Sequence, residues 1–427
     1  MTCIFYTFAP EMRVLLVNTS EQIGGAAIAA ARLTKVLNRR GVEARLLVRD
    51  KQTSCDTTVR LPQRLRLRVA FLWERLRIWI ANGFRREGLW TVDIGCCGVD
   101  ITQLPEFREA DIIHLHWVNQ GLLSLDQIDR ILASGKPVVW TMHDMWPCTA
   151  ICHHARECQH FHTHCHDCPQ LLSPAAHDLS WKVFRAKARI YARAKMTFVA
   201  CSQWLAGEAR KSALLQQHEV LSIPNTYDSA LFHPASQAEA RRRLRLPAHG
   251  RLLLFACQKV TNSRKGLDIL FEALQSELLT ELAGDLHLVV VGQMAEGLQR
   301  QLPFPIHAIG YLSDAADMAA LYQAVDVFVT PSLEENLPNT IMEAMASGTP
   351  CVGFRIGGIP EMIDHLANGY VARYRDADDL VQGIRYVLEN QERLARHAAE
   401  KAAAIWNEEV VANQYMQLYT RQAPVNS

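Results

Sequence analysis

Short apolar runs alternate with longer amphipathic stretches over most of this chain. Met12–Val17 (MRVLLV) reads as a buried strand and leads through Gly24-Gly25 into a small-residue helix, Ala26–Arg40, which Gly41 terminates. Ala44–Val48, Asp111–His116, Pro137–Met142, Met196–Cys201 and Val220–Ile223 read as further strands, with helices over Leu125–Ala133 and near Trp204–Lys211. The turn-rich stretch Ile223–Pro234 reads as a linker, and the rhythm then restarts. Strands over Arg251–Cys257, Leu286–Val291, Ile306–Ile309, Asp326–Thr330 and Pro350–Phe354 are interleaved with helices over Gly266–Gln275, Ala315–Gln323 and Asn339–Ala346. More helices follow Asp376. Strand–helix–strand order at this spacing predicts right-handed crossovers and parallel sheets. The expected fold class is therefore α/β, with two Rossmann-like doubly wound domains facing across a cleft: residues 1–228, residues 229–405, and a C-terminal helix in 406–427 returning to the first domain.

Composition narrows the class. The 427 residues carry 45 Lys+Arg against 44 Asp+Glu, a net charge of +1, which argues against a general nucleic-acid coat. The hydrophobic share of 49% and charged share of 21% are globular values. No apolar run reaches the roughly 18–20 residues of a membrane span, and the first residues lack a secretory signal pattern. The 12 cysteines are scattered apart from five between Cys148 and Cys168, which fits a reducing, cytoplasmic setting.

Candidate chemistry clusters at predicted strand ends. In Pro331–Pro350 a strand ends in a loop bearing Glu335, and Pro338 stands where a helix opens, with Glu343 eight positions after Glu335. A helix start presents backbone N–H groups and a positive dipole end to phosphate, and acidic side chains beside it suit sugar and ribose hydroxyls. Lys259, Arg264 and Lys265 precede the helix at Gly266 and suit a diphosphate. Gly24-Gly25 lets a backbone approach a ligand closely, but it is no GxGxxG dinucleotide motif. His143-Asp144 ends a strand, and His114 and His116-Trp117 end its neighbour. Imidazoles there suit sugar hydroxyls on the donor (His143) and acceptor sides.

These landmarks resemble the family 4 retaining glycosyltransferases of the GT-B fold. The match includes the Glu-x7-Glu signature at Glu335 and Glu343 with its preceding Pro-Ser, the Gly-x-Pro at Gly348–Pro350, the Gly357-Gly358-Ile359-Pro360-Glu361 turn, and the linker-like Ile223-Pro224-Asn225 with Phe232-x-Pro234. The resemblance implies a nucleotide-diphosphate sugar donor and a glycan or lipid-linked acceptor, with no cofactor required for catalysis. It assigns Glu335 to the donor sugar, Glu343 to the ribose, His143 to the reacting centre, and Lys265 with either Lys259 or Arg264 to the leaving diphosphate. Tyr311 and Leu312 would wrap the base with main chain. The family usually has a Gly-Phe-Gly-like loop where this chain has Asn336-Leu337-Pro338, so donor contacts fall to Asn336, Leu337, Asn339 and Thr340.

Two stretches stand apart. Within residues 146–171, Cys152, Cys158, Cys165 and Cys168 lie among six histidines. Four thiolates in a short loop suit a structural zinc, with unligated or redox-active thiols and disulfides as alternatives. A similar Cys-rich stretch occurs in glycosyltransferases resembling the colanic-acid, exopolysaccharide-building type. Arg60–Arg86 holds eight arginines and one acid, Glu74, on an amphipathic helical pattern with tryptophans. It suits either an anionic membrane surface, making the protein peripheral at the inner face of the plasma membrane, or an ordinary helix packed on the sheet.

Overall fold

The computed structural model describes residues 12–86, 88–259, 263–282, 284–293, 302–312 and 314–423, without the side chains of 257–259, 263 and 293. The chain divides into two compact units, Met1–Pro224 with Val411–Ser427, and Asn225–Val410.

The first unit is a seven-stranded sheet: β1 (Arg13–Ser20), β2 (Glu43–Asp50), β3 (Thr58–Arg60), β4 (Ile112–Leu115), β5 (Val138–Met142), β6 (Thr197–Ala200) and β7 (Glu219–Ser222). Their order is β3-β2-β1-β4-β5-β6-β7, and every pairing is parallel. Both faces are covered, because successive residues on a strand point to opposite sides. Leu15, Val17, Ile113, Leu115, Trp140 and Phe198 enter one core. Val14, Leu16, Ile112, Val139 and Val199 enter the other, where they meet Leu33, Val36 and Leu37 of α1 (Gly25–Arg39). The helix Glu408–Gln422 closes that second face with Val411, Tyr415, Leu418 and Tyr419. Helix α2 (Arg64–Ala81) packs on the first core through Leu67 and Ile78.

The second unit has six parallel strands: β8 (Arg251–Lys259), β9 (Leu286–Gln293), β10 (Ile306–Gly310), β11 (Val327–Thr330), β12 (Cys351–Phe354) and β13 (Gly369–Ala372), ordered β10-β9-β8-β11-β12-β13. In both sheets the order reverses direction once, between β1 and β4 and between β8 and β11. Loops leaving the carboxyl ends of strands at such a switch point diverge and leave room for a ligand.

Apolar periodicity locates most of these elements, and the helices Leu125–Ala133 and Asn339–Ala346 fall at their expected bounds. Several elements lie outside the stretches read from the sequence, among them β3, β13 and a helix at Leu179–Tyr191. β3 is three residues long at a sheet edge, and β13 opens on glycine. The helix Leu179–Tyr191, which buries Val183, Phe184, Ile190 and Tyr191 on one face, opens on an Asp178 cap that accepts from Ser180 and Trp181 N–H. Among the described residues no helix is long and apolar enough to cross a membrane.

Candidate functional site

In the second unit, three loops meet at the carboxyl ends of the adjacent strands β8, β11 and β12. The loop after β11 carries Glu335. On one side Leu333 N–H donates to the Arg264 carbonyl at 2.7 Å. On the other, Gly358 N–H donates to the Asn336 carbonyl at 2.8 Å. Both contacts depend on glycine. Gly266 has φ +63°, and a Cβ there would sit 1.9 Å from the Pro331 carbonyl oxygen. Gly357 has φ +54°, and a Cβ there would sit 1.8 Å from the Glu335 carbonyl oxygen. Only a residue without a side chain permits either approach.

This scaffold brings Lys265 Nζ onto Glu335 Oε1, joining residues 70 apart in sequence. The two side chains keep 35% and 14% of their exposure, so the pair faces solvent without being fully open to it. Arg264 lies 3.9 Å from Glu334. Lys259 ends β8, and its side chain lies outside the described residues. Asn336 and Leu337 are buried in the loop, while Asn339 and Thr340 form the half-buried first turn of the helix Asn339–Ala346. Its N-cap is Pro338, which supplies no side-chain cap. Glu343 is buried further along that helix. Tyr311 is exposed and Leu312 half-buried after Gly310, at the carboxyl end of β10. The second unit thus gathers Lys265, Glu335 and an uncapped helix start at its switch point, a combination suited to an anionic, hydroxyl-rich ligand.

In the first unit the switch point is framed by Gly24-Gly25 after β1 and by the loop after β4. Gly24 has φ +93° and caps α1, and a Cβ there would meet nothing within 4 Å. The two loops are tied together: Thr19 N–H donates to the Trp117 carbonyl at 2.9 Å, and Trp117 N–H to Asn18 Oδ1 at 2.9 Å.

Beside them runs a row of imidazoles. His114 bonds the Tyr419 hydroxyl at 2.6 Å and Thr141 Oγ1 at 2.8 Å. His116 Nδ1 lies 3.0 Å from His143 Nε2, with the two rings stacked. Desolvation drives all three downward, His114 to about 3 and His143 to about 4, so they are neutral at physiological pH. His114 is therefore a satisfied structural group tied to the C-terminal helix, which places it away from the acceptor role expected of it. His116 is also buried, its Nε2 without a hydrogen-bond partner among the described residues. His143 is part-exposed at the end of β5.

Asp144 anchors the loop that carries His143. It accepts from Trp117 Nε1 at 2.8 Å, from Trp146 N–H at 2.9 Å and from His153 Nδ1 at 2.7 Å. Burial pushes its pKa up, but the His153 charge and these hydrogen bonds outweigh it and bring the carboxyl to about 2. The other nitrogen of His153 lies 2.7 Å from Asp93 Oδ2. Held between two carboxylates, His153 rises to about 10 despite its burial and is an imidazolium. Asp93 in turn binds Arg75 of α2. Glu74, the lone acid of the arginine-rich stretch, turns inward and accepts from Ile94 and Gly95 N–H at 2.9 and 2.7 Å. Sequence reasoning missed this chain of charges. Its one visible signal was an isolated acid on a basic helix.

The Cys/His stretch is thus built onto the His143 loop, with Met145 N–H donating to the His153 carbonyl at 2.9 Å. Cys152, Cys158, Cys165 and Cys168 line one small pocket with His160 and His166. All four are free thiols, so the disulfide alternative is not realised. Burial pushes Cys152, Cys165 and Cys168 up to about 12. Among the described residues, however, no three His, Cys, Asp or Glu side chains are gathered into a group that could hold a metal ion. The expected zinc ligands share a pocket without forming a coordination shell among the described residues. The segment is also fastened by the fully buried Lys187 amino group, which donates to the Trp146 and Thr149 carbonyls at 2.5 and 3.0 Å.

Residues 23–231 match the domain family described as Glycosyltransferase Family 4, and residues 250–390 match Glycosyl transferases group 1. The chain is 34% identical over 117 residues to N,N'-diacetylbacillosaminyl-diphospho-undecaprenol alpha-1,3-N-acetylgalactosaminyltransferase of Campylobacter jejuni, covering 27% of this chain and 31% of that one. It is 29% identical over 225 residues to mannosylfructose-phosphate synthase of Agrobacterium fabrum, covering 48% of each. These matches span a third to a half of the relatives' length. Among solved structures, Anabaena HepE in complex with UDP-glucose superposes with a TM-score of 0.61 at 16% identity, over 96% of this chain and 100% of that one, a likeness of fold.

Proposed function

The chain belongs by fold and domain family to the two-domain GT-B glycosyltransferases, and from that premise we propose that it transfers a sugar from a nucleoside-diphosphate sugar to a glycan or lipid-linked acceptor. The reading includes retention at the anomeric carbon, a bacterial surface polysaccharide as product, and a cytoplasmic site of action. One observation carries it: Lys265 and Glu335 are assembled beside an uncapped helix start, at the switch point of the second unit.

The roles follow from the chemistry of each group. The acceptor hydroxyl attacks the anomeric carbon on the face from which the diphosphate departs. The bond from that carbon to the phosphate oxygen breaks as the new glycosidic bond forms, and the hydroxyl proton passes to the leaving diphosphate. Lys265 and Arg264, with the first-turn N–H groups of Asn339 and Thr340, neutralise the charge that develops on that diphosphate. Until a donor arrives, Glu335 holds Lys265 in place, and it then turns to the sugar hydroxyls. Glu343 takes the ribose. His143, kept neutral by desolvation, donates to or accepts from a sugar hydroxyl without adding a charge.

The test is a thermal-shift screen against UDP-, GDP-, dTDP- and ADP-sugars, followed by transfer assays with the stabilising donor. Glu335→Gln and Lys265→Ala are each expected to lower transfer at least about tenfold, since each removes a charge facing the reacting centre. Rates near the parent's in both variants would remove the site assignment. Sugar release without a free nucleoside diphosphate would move the chain to the phosphorylases or hydrolases.

A further inference from the structure

Helix α2 has its apolar stripe on the outside. Leu67, Ala70, Glu74, Arg75 and Ile78 are buried against the first unit. Leu65, Val69, Leu72, Trp73, Leu76 and Ile80 are exposed, by 38% to 76%. Their spacing of i, i+4, i+7, i+8, i+11 and i+15 puts them on one strip about 100° wide, opposite the buried face. Phe84 and Trp90, 63% and 62% exposed, follow just beyond the helix. These eight side chains are more than half of the exposed large hydrophobics among the described residues.

Arginines flank the strip. At 100° per residue, Arg66 and Arg77 fall on one side of it and Arg64 and Arg68 on the other, and all four are exposed, as are Arg85 and Arg86 beyond the helix. No acidic residue is exposed between residues 64 and 86, because Glu74 points inward. With a net charge of only +1 for the whole chain, this concentration is local.

We infer that this face docks on an anionic lipid surface. The strip would lie in the headgroup–acyl boundary, with the arginines paired to lipid phosphates on both flanks. Charge decides among occupants. A second copy of the chain would set one row of arginines against another, whereas an anionic bilayer supplies both the apolar depth and the opposite charge. The inward face gives the docked helix a rigid seat. Arg75 binds Asp93, which lies 2.7 Å from His153, and His153 lies 2.7 Å from Asp144 beside His143. Gly121 meets the Phe71 backbone so closely that a Cβ there would lie 2.5 Å from Phe71 N. The inference stands on the first unit alone and is independent of the transfer reading.

The experiment is vesicle co-sedimentation of the full chain, with phosphatidylglycerol–phosphatidylcholine vesicles against pure phosphatidylcholine. The parent should partition to the anionic vesicles at least about tenfold better, and the preference should fall as salt rises. Trp73→Ser with Leu76→Ser, and separately Arg66→Ala with Arg77→Ala, should each lower that partition about tenfold or more while leaving the melting temperature unchanged. If the apolar pair lowers the melting temperature, the arginine pair decides the matter. Equal partition to neutral and anionic vesicles, or variants that bind like the parent, would overturn the inference. So would a concentration-dependent dimer that the Trp73 and Leu76 substitutions dissolve, which would give the face to a second copy.

Discussion

At Gly266 and Gly357 the backbone is left-handed and lies against the very carbonyls that shape the Glu335 loop. Gly266→Ala or Gly357→Ala forces that loop to move, so each is expected to abolish the donor-induced thermal shift. Gly207, inside the helix Gln203–Lys211, has nothing within 4 Å of a built Cβ. Gly207→Ala is expected to raise stability by about 0.5–1 kcal/mol in chemical denaturation. The contrast separates a glycine required by close approach from one that only costs helix entropy. Asp144 yields a pH prediction. Its pKa is about 2 against 3.8 for the free group, so its stabilising contribution is present above about pH 3.8 and lost as pH falls toward 2. The stability gap between the parent and Asp144→Asn should therefore be wide at pH 5 and close toward pH 2. A gap that does not change with pH would show that Asp144 acts only through its shape. At this scale, Glu335, Glu343, Lys265 and His143 were legible because their spacing and strand-end positions are local features. The partnership of His153 with Asp93, 60 residues apart, has no local signature.

Among the elements, α2 and the Cys/His stretch depart furthest from what periodicity alone conveys. The pattern identified α2 as amphipathic and left open which face was buried. Its apolar strip proved to be the outer one, because Glu74 and Arg75 are drawn inward by Ile94, Gly95 and Asp93. The Cys/His stretch left a structural zinc, unligated or redox-active thiols and disulfides open, and its visible fastenings are His153, Lys187 and backbone pairing of Val92 with Cys152. Removing His153 takes the facing imidazolium from Asp144 and leaves the buried Asp93 to Arg75 alone. His153→Ala is expected to cost about 3–5 kcal/mol in denaturant unfolding, by analogy with other broken buried pairs. A loss under about 1 kcal/mol would mean that water reaches both carboxylates and that the network contributes little.

For the molecule as a whole, two sheets with one reversal of strand order each explain why the candidate residues collect where they do. From Val411 onward the helix Glu408–Gln422 belongs to the first unit although it follows the second in sequence. Tyr419→Phe leaves His114 Nδ1 buried without its 2.6 Å partner and is expected to destabilise that unit by about 1–3 kcal/mol, read from its unfolding transition. The sequence by itself determined the two-domain α/β architecture, the strand-end placement of His143, Glu335 and Lys265, and the amphipathic character of α2. It could do so because hydrophobic period, glycine position and helix starts act over a few residues. Only the tertiary structure decided which face of α2 is bare, that His114 is a core group held by a helix 305 residues away, and that His153 is an imidazolium between two carboxylates. Burial and the pairing of distant charges depend on how the strands are ordered in space, and no local pattern along the chain records that order.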